Sequence, residues 1–150
     1  MARLLSRYLP LVAWLAFISY ASSASFSAGN TSRFIGPFVL WLFPNTSQET
    51  LLVVHMITRK LAHFVEYAIL GLLAARAFRT SPRPAIHDRW FLISATIVVT
   101  YALMDEYHQT FVPSRTGSIY DSFIDIAGGL TALLVIRWRT RGRDSSSAAG

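Results

Sequence analysis

The 150-residue chain contains no cysteine, which excludes disulfides and thiolate metal ligands and leaves the redox compartment unread. Acidic residues are also scarce, with eight Asp and Glu against fourteen Lys and Arg, for a net charge of +6. Charged residues make up only 15% of the chain and hydrophobic ones 53%. The apolar residues come in blocks, a pattern suited to a bilayer solvent better than to a water-soluble core. A basic chain can bind nucleic acid, but here the arginines stand beside the apolar blocks. Membrane orientation accounts for that placement, and no nucleic-acid partner is expected. The sequence also lacks an H-E-x-x-H zinc motif and a serine elbow of the hydrolase type.

What is present reads as an all-α membrane protein. One domain over residues 1–138 is expected, a bundle of about four transmembrane helices with a short interfacial or re-entrant segment. The spans are predicted at about 4–24, 61–78, 90–104 and 119–138, the second with an upstream extension through 51–57. The first block, with Arg3, Arg7 and a terminal Ser22-Ser23-Ala24, also has the form of a signal peptide, whereas Trp14 and Tyr20 suit an anchored helix. Residues 22–33 read as a polar loop. Residues 34–43 are apolar and aromatic, too short to cross as a helix and interrupted by Pro37, so they are assigned to the interface. Ser47 is a candidate helix cap, and Gly128-Gly129 a point of close helix approach. The tail 139–150, basic and then rich in serine and alanine, is predicted to be disordered and cytoplasmic.

Charge sets the orientation. Ten basic residues fall on one side: Arg3, Arg7, Arg76, Arg79, Arg83, Arg89, Arg137, Arg139, Arg141 and Arg143. Only four, Arg33, Arg59, Lys60 and Arg115, fall on the other. This split predicts a multi-pass protein of the cytoplasmic membrane with both termini in the cytoplasm.

Three polar clusters then come to the outer side. In the first, Lys60, His63 and Tyr67 share a helix face with Glu66 beside it. A charge inside a span costs roughly 2.5–3.5 kcal/mol on the insertion scale, so Glu66 calls for a partner or water. Lys60 alone can snorkel to the interface. The second cluster is Asp105, Glu106, His108 and Gln109, where a continuing helix would put Asp105, His108 and Gln109 on one face. Taken alone it is equally well a polar stop at the surface. The third joins Arg115, in a Pro113-to-Gly117 turn, to Asp121 and Asp125, one helical turn apart. Asp121 can complement the helix dipole, but two carboxylates entering a membrane together need a cation, a proton or an arginine.

These residues resemble the VanZ-like family of small bacterial membrane proteins. The resemblance rests on K-x-x-H-F-x-E-Y at Lys60–Tyr67, D-E-x-H-Q at Asp105–Gln109, Pro113-x-Arg115, and the Asp121, Asp125, Gly128 series, in that order. Asp125 departs from the pattern, since the family commonly has asparagine there. The resemblance implies a polytopic membrane protein with a retained first span. It also implies a link to a family named for a member associated with teicoplanin resistance. It supplies no molecular activity.

Three functions remain open on the sequence. The first is a non-catalytic envelope protein whose outer site binds a membrane lipid's polar head group, a lipid-linked cell-wall precursor or a glycopeptide. Lys60 and Arg115 would recognise its anionic groups, with His63, Glu66, Tyr67, Asp105, Glu106, His108, Gln109, Asp121 and Asp125 around them. The second is a membrane-embedded hydrolase or transferase on a lipid-linked substrate. Its catalytic candidates are His63, Glu66, Asp105, Glu106, His108 and Asp121. A divalent metal could be held among His63, Asp105, Glu106 and His108. The third is a proton-coupled carrier relaying through Glu66 and Asp125, which would need an oligomer to form a pathway.

Overall fold

The computed structural model describes residues 2–23, 28–113 and 118–147. Every regular element among them is a helix: α1 (Ala2–Ala21), α2 (Ala28–Leu42), α3 (Gln48–Arg79), α4 (Pro84–His87), α5 (Trp90–Gln109) and α6 (Ile119–Ser147). Three are long and apolar enough to cross a membrane, over Leu4–Ala21, Gln48–Arg79 and Ile119–Arg141. The remaining expected span, α5, has 20 residues and carries Asp105 and Glu106 near its C-terminal end.

Polarity is distributed as a lipid solvent requires. Leu92, Leu103, Phe123 and Leu134 are exposed, whereas His63, Asp105, Glu106, Gln109 and Asp125 are buried. In water such an arrangement would expose a large apolar patch and hide charge, the reverse of what a soluble bundle tolerates.

α3 is the central helix, packing against α1, α2, α5 and α6. Ser47 caps it, accepting from the Thr50 backbone N–H at 3.2 Å, as its position before Gln48 and Glu49 suggests. It runs unbroken for 32 residues, so the predicted second span and its upstream extension are one element. At 1.5 Å per residue that is about 48 Å, well beyond a ~30 Å hydrocarbon core. Glycines let α6 close on α3. A Cβ at Gly71 would stand 2.6 Å from the Gly129 carbonyl oxygen, and one at Gly128 would strike the Phe64 backbone. α1 is built into the same core through Leu11 and Ile18, and the Trp14 indole N–H donates to the Glu66 carbonyl at 3.0 Å.

Two segments differ from the sequence reading. The aromatic segment belongs to a 15-residue helix that begins at Ala28, inside the expected loop, and carries Pro37 within it. Its length of about 22 Å still falls short of a span. At the other end α6 continues to Ser147, where a disordered tail from residue 139 was expected.

Candidate functional site

α6 runs parallel to α3 and starts about three turns into it, at the end of the bundle where α1 and α5 finish. That parallel pairing sets Lys60 opposite Asp121 and, one turn further in, His63 opposite Asp125. Lys60 Nζ donates to Asp121 Oδ1 at 2.7 Å, with 40% and 16% of the two side chains exposed. His63 Nδ1 lies 3.2 Å from Asp125 Oδ1, and the Asp125 side chain is wholly buried.

α5 delivers the second cluster to the same end. Gln109 Nε2 donates to Asp105 Oδ2 at 3.1 Å, and the Ser22 hydroxyl, just past α1, donates to Asp105 Oδ1. Asp105 is therefore held by α1 and by its own helix. The Ser118 backbone N–H donates to Glu106 Oε2 at 2.6 Å, tying α5 to the start of α6. Tyr101 adds a lower tie, donating to the Leu15 carbonyl at 2.6 Å and meeting Ser19 Oγ at 2.5 Å.

The expected convergence of the three polar clusters is visible residue by residue where α3, α5 and α6 meet. Lys60, His63, Tyr67, Asp105, Glu106, Gln109, Asp121 and Asp125 come to this end. Tyr67 is fully buried, and its hydroxyl lacks a hydrogen-bond partner among the described residues. Glu66 is half-buried on the α1–α2 side of α3. His108 is not part of the assembly: it is exposed, while Asp105 and Gln109 on the same helix are buried. The buried stripe of α5 runs Val98, Ala102, Asp105, Gln109, and His108 stands about 100° round from Gln109. His108 therefore cannot join His63 as a ligand from this face. Asp105, its carboxylate taken up by Ser22 and Gln109, stands apart from the close group of His63, Glu106 and Asp125. Arg115 lies outside the described residues, and the structure gives Asp121 the partner Lys60.

A cavity of about 380 Å³ opens between α1, α2 and α3. Trp14, Phe17, Ile35, Val65 and Ile69 give it an apolar wall, and Ser22, His55, Arg59, His63 and Glu66 a polar one. Of these residues, His55 and Arg59 each have a buried nitrogen, Nε2 and Nε, with no hydrogen-bond partner among the described residues. Neither His55 nor Arg59 was a site candidate on sequence. The signal was available in their spacing, since His55, Arg59 and His63 recur every four residues along one face of α3.

The opposite end of the bundle is cationic and aromatic. Arg79 stacks 5.4 Å from the Trp90 ring centroid and Arg137 4.7 Å from that of Phe91. Such pairs suit a membrane interface.

No curated protein and no solved structure matches the chain. The VanZ/LLP1 family model, by contrast, matches residues 7–140, a stretch that takes in most of α1, all of α2 to α5, most of α6 and every polar residue of the site. With nearly the whole chain covered, the protein belongs to the VanZ/LLP1 family.

Proposed function

We propose that this VanZ-like membrane protein holds the anionic head group of a membrane lipid or lipid-linked precursor in the cavity between α1, α2 and α3. The observation that carries the reading is that two residues lining the cavity, His55 and Arg59, each have a buried nitrogen, Nε2 and Nε, with no hydrogen-bond partner among the described residues, while the other wall is apolar. An arginine N–H left without an acceptor in a buried place costs free energy that a phosphate or carboxylate oxygen would restore. The aromatic and aliphatic wall offers the attached chain a path along Trp14, Phe17 and Ile35. Lys60, paired to Asp121 and still 40% exposed, stands one residue beyond Arg59 as a second cation for the head group.

In this reading α5 is a fourth span, its two acids sheltered by the bundle instead of facing lipid. The site end faces outward, because the arginine-rich end with Arg79 and Arg137 is drawn to the cytoplasm. The protein then acts on the outer leaflet of the cytoplasmic membrane. A link to glycopeptide resistance would arise through the cell-wall precursor or the lipid around it. A whole glycopeptide exceeds a cavity of about 380 Å³.

Native mass spectrometry of the detergent-purified chain with phosphatidylglycerol, phosphatidylcholine and a polyprenyl pyrophosphate tests the reading. Retention of the anionic species, weakened about tenfold or more by Arg59→Ala with His55→Ala, is expected; tenfold corresponds to about 1.4 kcal/mol. Equal retention of all three lipids by wild type and double variant would refute it.

A further inference from the structure

Three ligand-type side chains from three helices meet beside the cavity. His63 of α3, Glu106 of α5 and Asp125 of α6 each offer one donor atom, and these atoms all lie within 4.8 Å of one another. The residues are 9%, 5% and 0% exposed. One oxygen of each acid is accounted for: Asp125 Oδ1 faces His63 Nδ1, and Glu106 Oε2 accepts from the Ser118 N–H. The other oxygen of each, Asp125 Oδ2 and Glu106 Oε1, is buried with no hydrogen-bond partner among the described residues. Two carboxyl groups beside one imidazole therefore leave two unmet oxygens, and both groups can be charged there only with a cation beside them. That is not a stable condition in a low-dielectric interior.

The other charged groups nearby do not relieve it. Lys60 Nζ is engaged by Asp121 at 2.7 Å, and Asp105 is another acid. A divalent cation would neutralise both acids at once, taking one oxygen from each. The geometry is close to what one requires. Ligands bound at about 2.0–2.2 Å in a tetrahedron stand about 3.3 Å apart. His63 Nδ1 and Asp125 Oδ1 already stand 3.2 Å apart. Glu106 would have to close by about 1.5 Å at most, a side-chain adjustment.

We propose that His63, Glu106 and Asp125 bind a divalent transition metal of the zinc or manganese class. An imidazole among the ligands favours these ions over calcium and magnesium, which prefer oxygen alone. Three protein ligands leave a coordination position open, the arrangement of a reactive site and not of a closed structural one. His63 also forms part of the cavity wall, so the centre sits beside the proposed head-group site. The metal site does not depend on lipid capture, and its test reads metal alone.

The full chain is purified in detergent and its metal content measured by inductively coupled plasma mass spectrometry. It is then stripped with chelator and titrated with zinc, manganese, magnesium and cobalt chlorides while thermal unfolding is followed. About one equivalent of zinc or manganese per chain is expected, with a stabilising shift on re-addition and visible absorption bands from cobalt. His63→Ala, Glu106→Gln and Asp125→Asn should each reduce retained metal at least tenfold, and His108→Ala should leave it unchanged. Glu106→Gln keeps the size of the side chain and the Ser118 contact, so it supplies the test where another variant fails to fold. Absence of bound metal together with no shift from any of the four ions overturns the proposal. So does loss of metal in His108→Ala equal to that in His63→Ala.

Discussion

His63 Nδ1 lies 3.2 Å from Asp125 Oδ1 across the α3–α6 contact, one helical turn inward from the 2.7 Å pairing of Lys60 with Asp121. The two pairs differ in burial, and that difference decides what each contributes. With Asp125 wholly buried, removing the ring opposite it strands a carboxylate in the interior. His63→Ala is therefore expected to destabilise the bundle by about 3–5 kcal/mol, and replacing both residues with apolar ones of similar size should recover much of that loss. Thermal unfolding in detergent checks it. Costs of the two single variants that simply add in the double variant would show that the residues are not coupled.

The outer pair behaves differently. Lys60 is 40% exposed, so its attraction to Asp121 is screened, and a double-mutant cycle is expected to give about 0.2–1 kcal/mol of coupling. Lys60→Ala should thus weaken ligand retention more clearly than it lowers the unfolding temperature. A coupling of several kcal/mol would mean that the pair is a structural lock.

Helix approach gives a third expectation. A methyl group at Gly128 would meet the Phe64 backbone, which cannot rotate out of the way, so Gly128→Ala should cost about 1–3 kcal/mol. Gly36, on α2, has nothing within 4 Å of an added Cβ. Gly36→Ala should be neutral or stabilise by up to about 1 kcal/mol through helix propensity. Equal effects at the two positions would contradict the close α3–α6 packing.

Topology is open to reporter fusions. A reporter after Arg83 should report the cytoplasm, and one after Asn45 the outside. If α2 crossed the bilayer instead of lying at its surface, both readings would be exchanged, with Asn45 in the cytoplasm and Arg83 outside.

Much of the site was legible because its residues are chemically expensive where they stand. Glu66 and Asp125 inside apolar blocks, and glycines following Asp125, call for partners and close packing from the sequence alone. Ser47 could likewise be read as a cap. The misreadings have local causes. His108 was placed with Asp105 because three-residue spacing permits a shared face, but the buried stripe of α5 is centred on Ala102, Asp105 and Gln109 and turns His108 outward. For Asp125 the sequence shows the need for a cation, a proton or an arginine, but names no partner on α3. Only the parallel pairing of α3 and α6, a tertiary fact, sets Asp125 opposite His63. Ser22 on Asp105 is equally a long-range contact with no local signature. The start of α2 was missed because Gly29, Asn30, Thr31 and Ser32 have weak helix propensity and read as a loop.

The most direct test of head-group capture uses a photo-reactive amino acid at Ala62, which lines the cavity, compared with one at Leu92, which is exposed on the apolar outside of α5. Both are irradiated in native membranes, and the attached lipids are identified by mass spectrometry. The account predicts that Ala62 captures a set strongly enriched in one anionic head group, that Leu92 captures the bulk lipid mixture, and that Arg59→Ala abolishes the enrichment. Identical lipid profiles at Ala62 and Leu92 would contradict it.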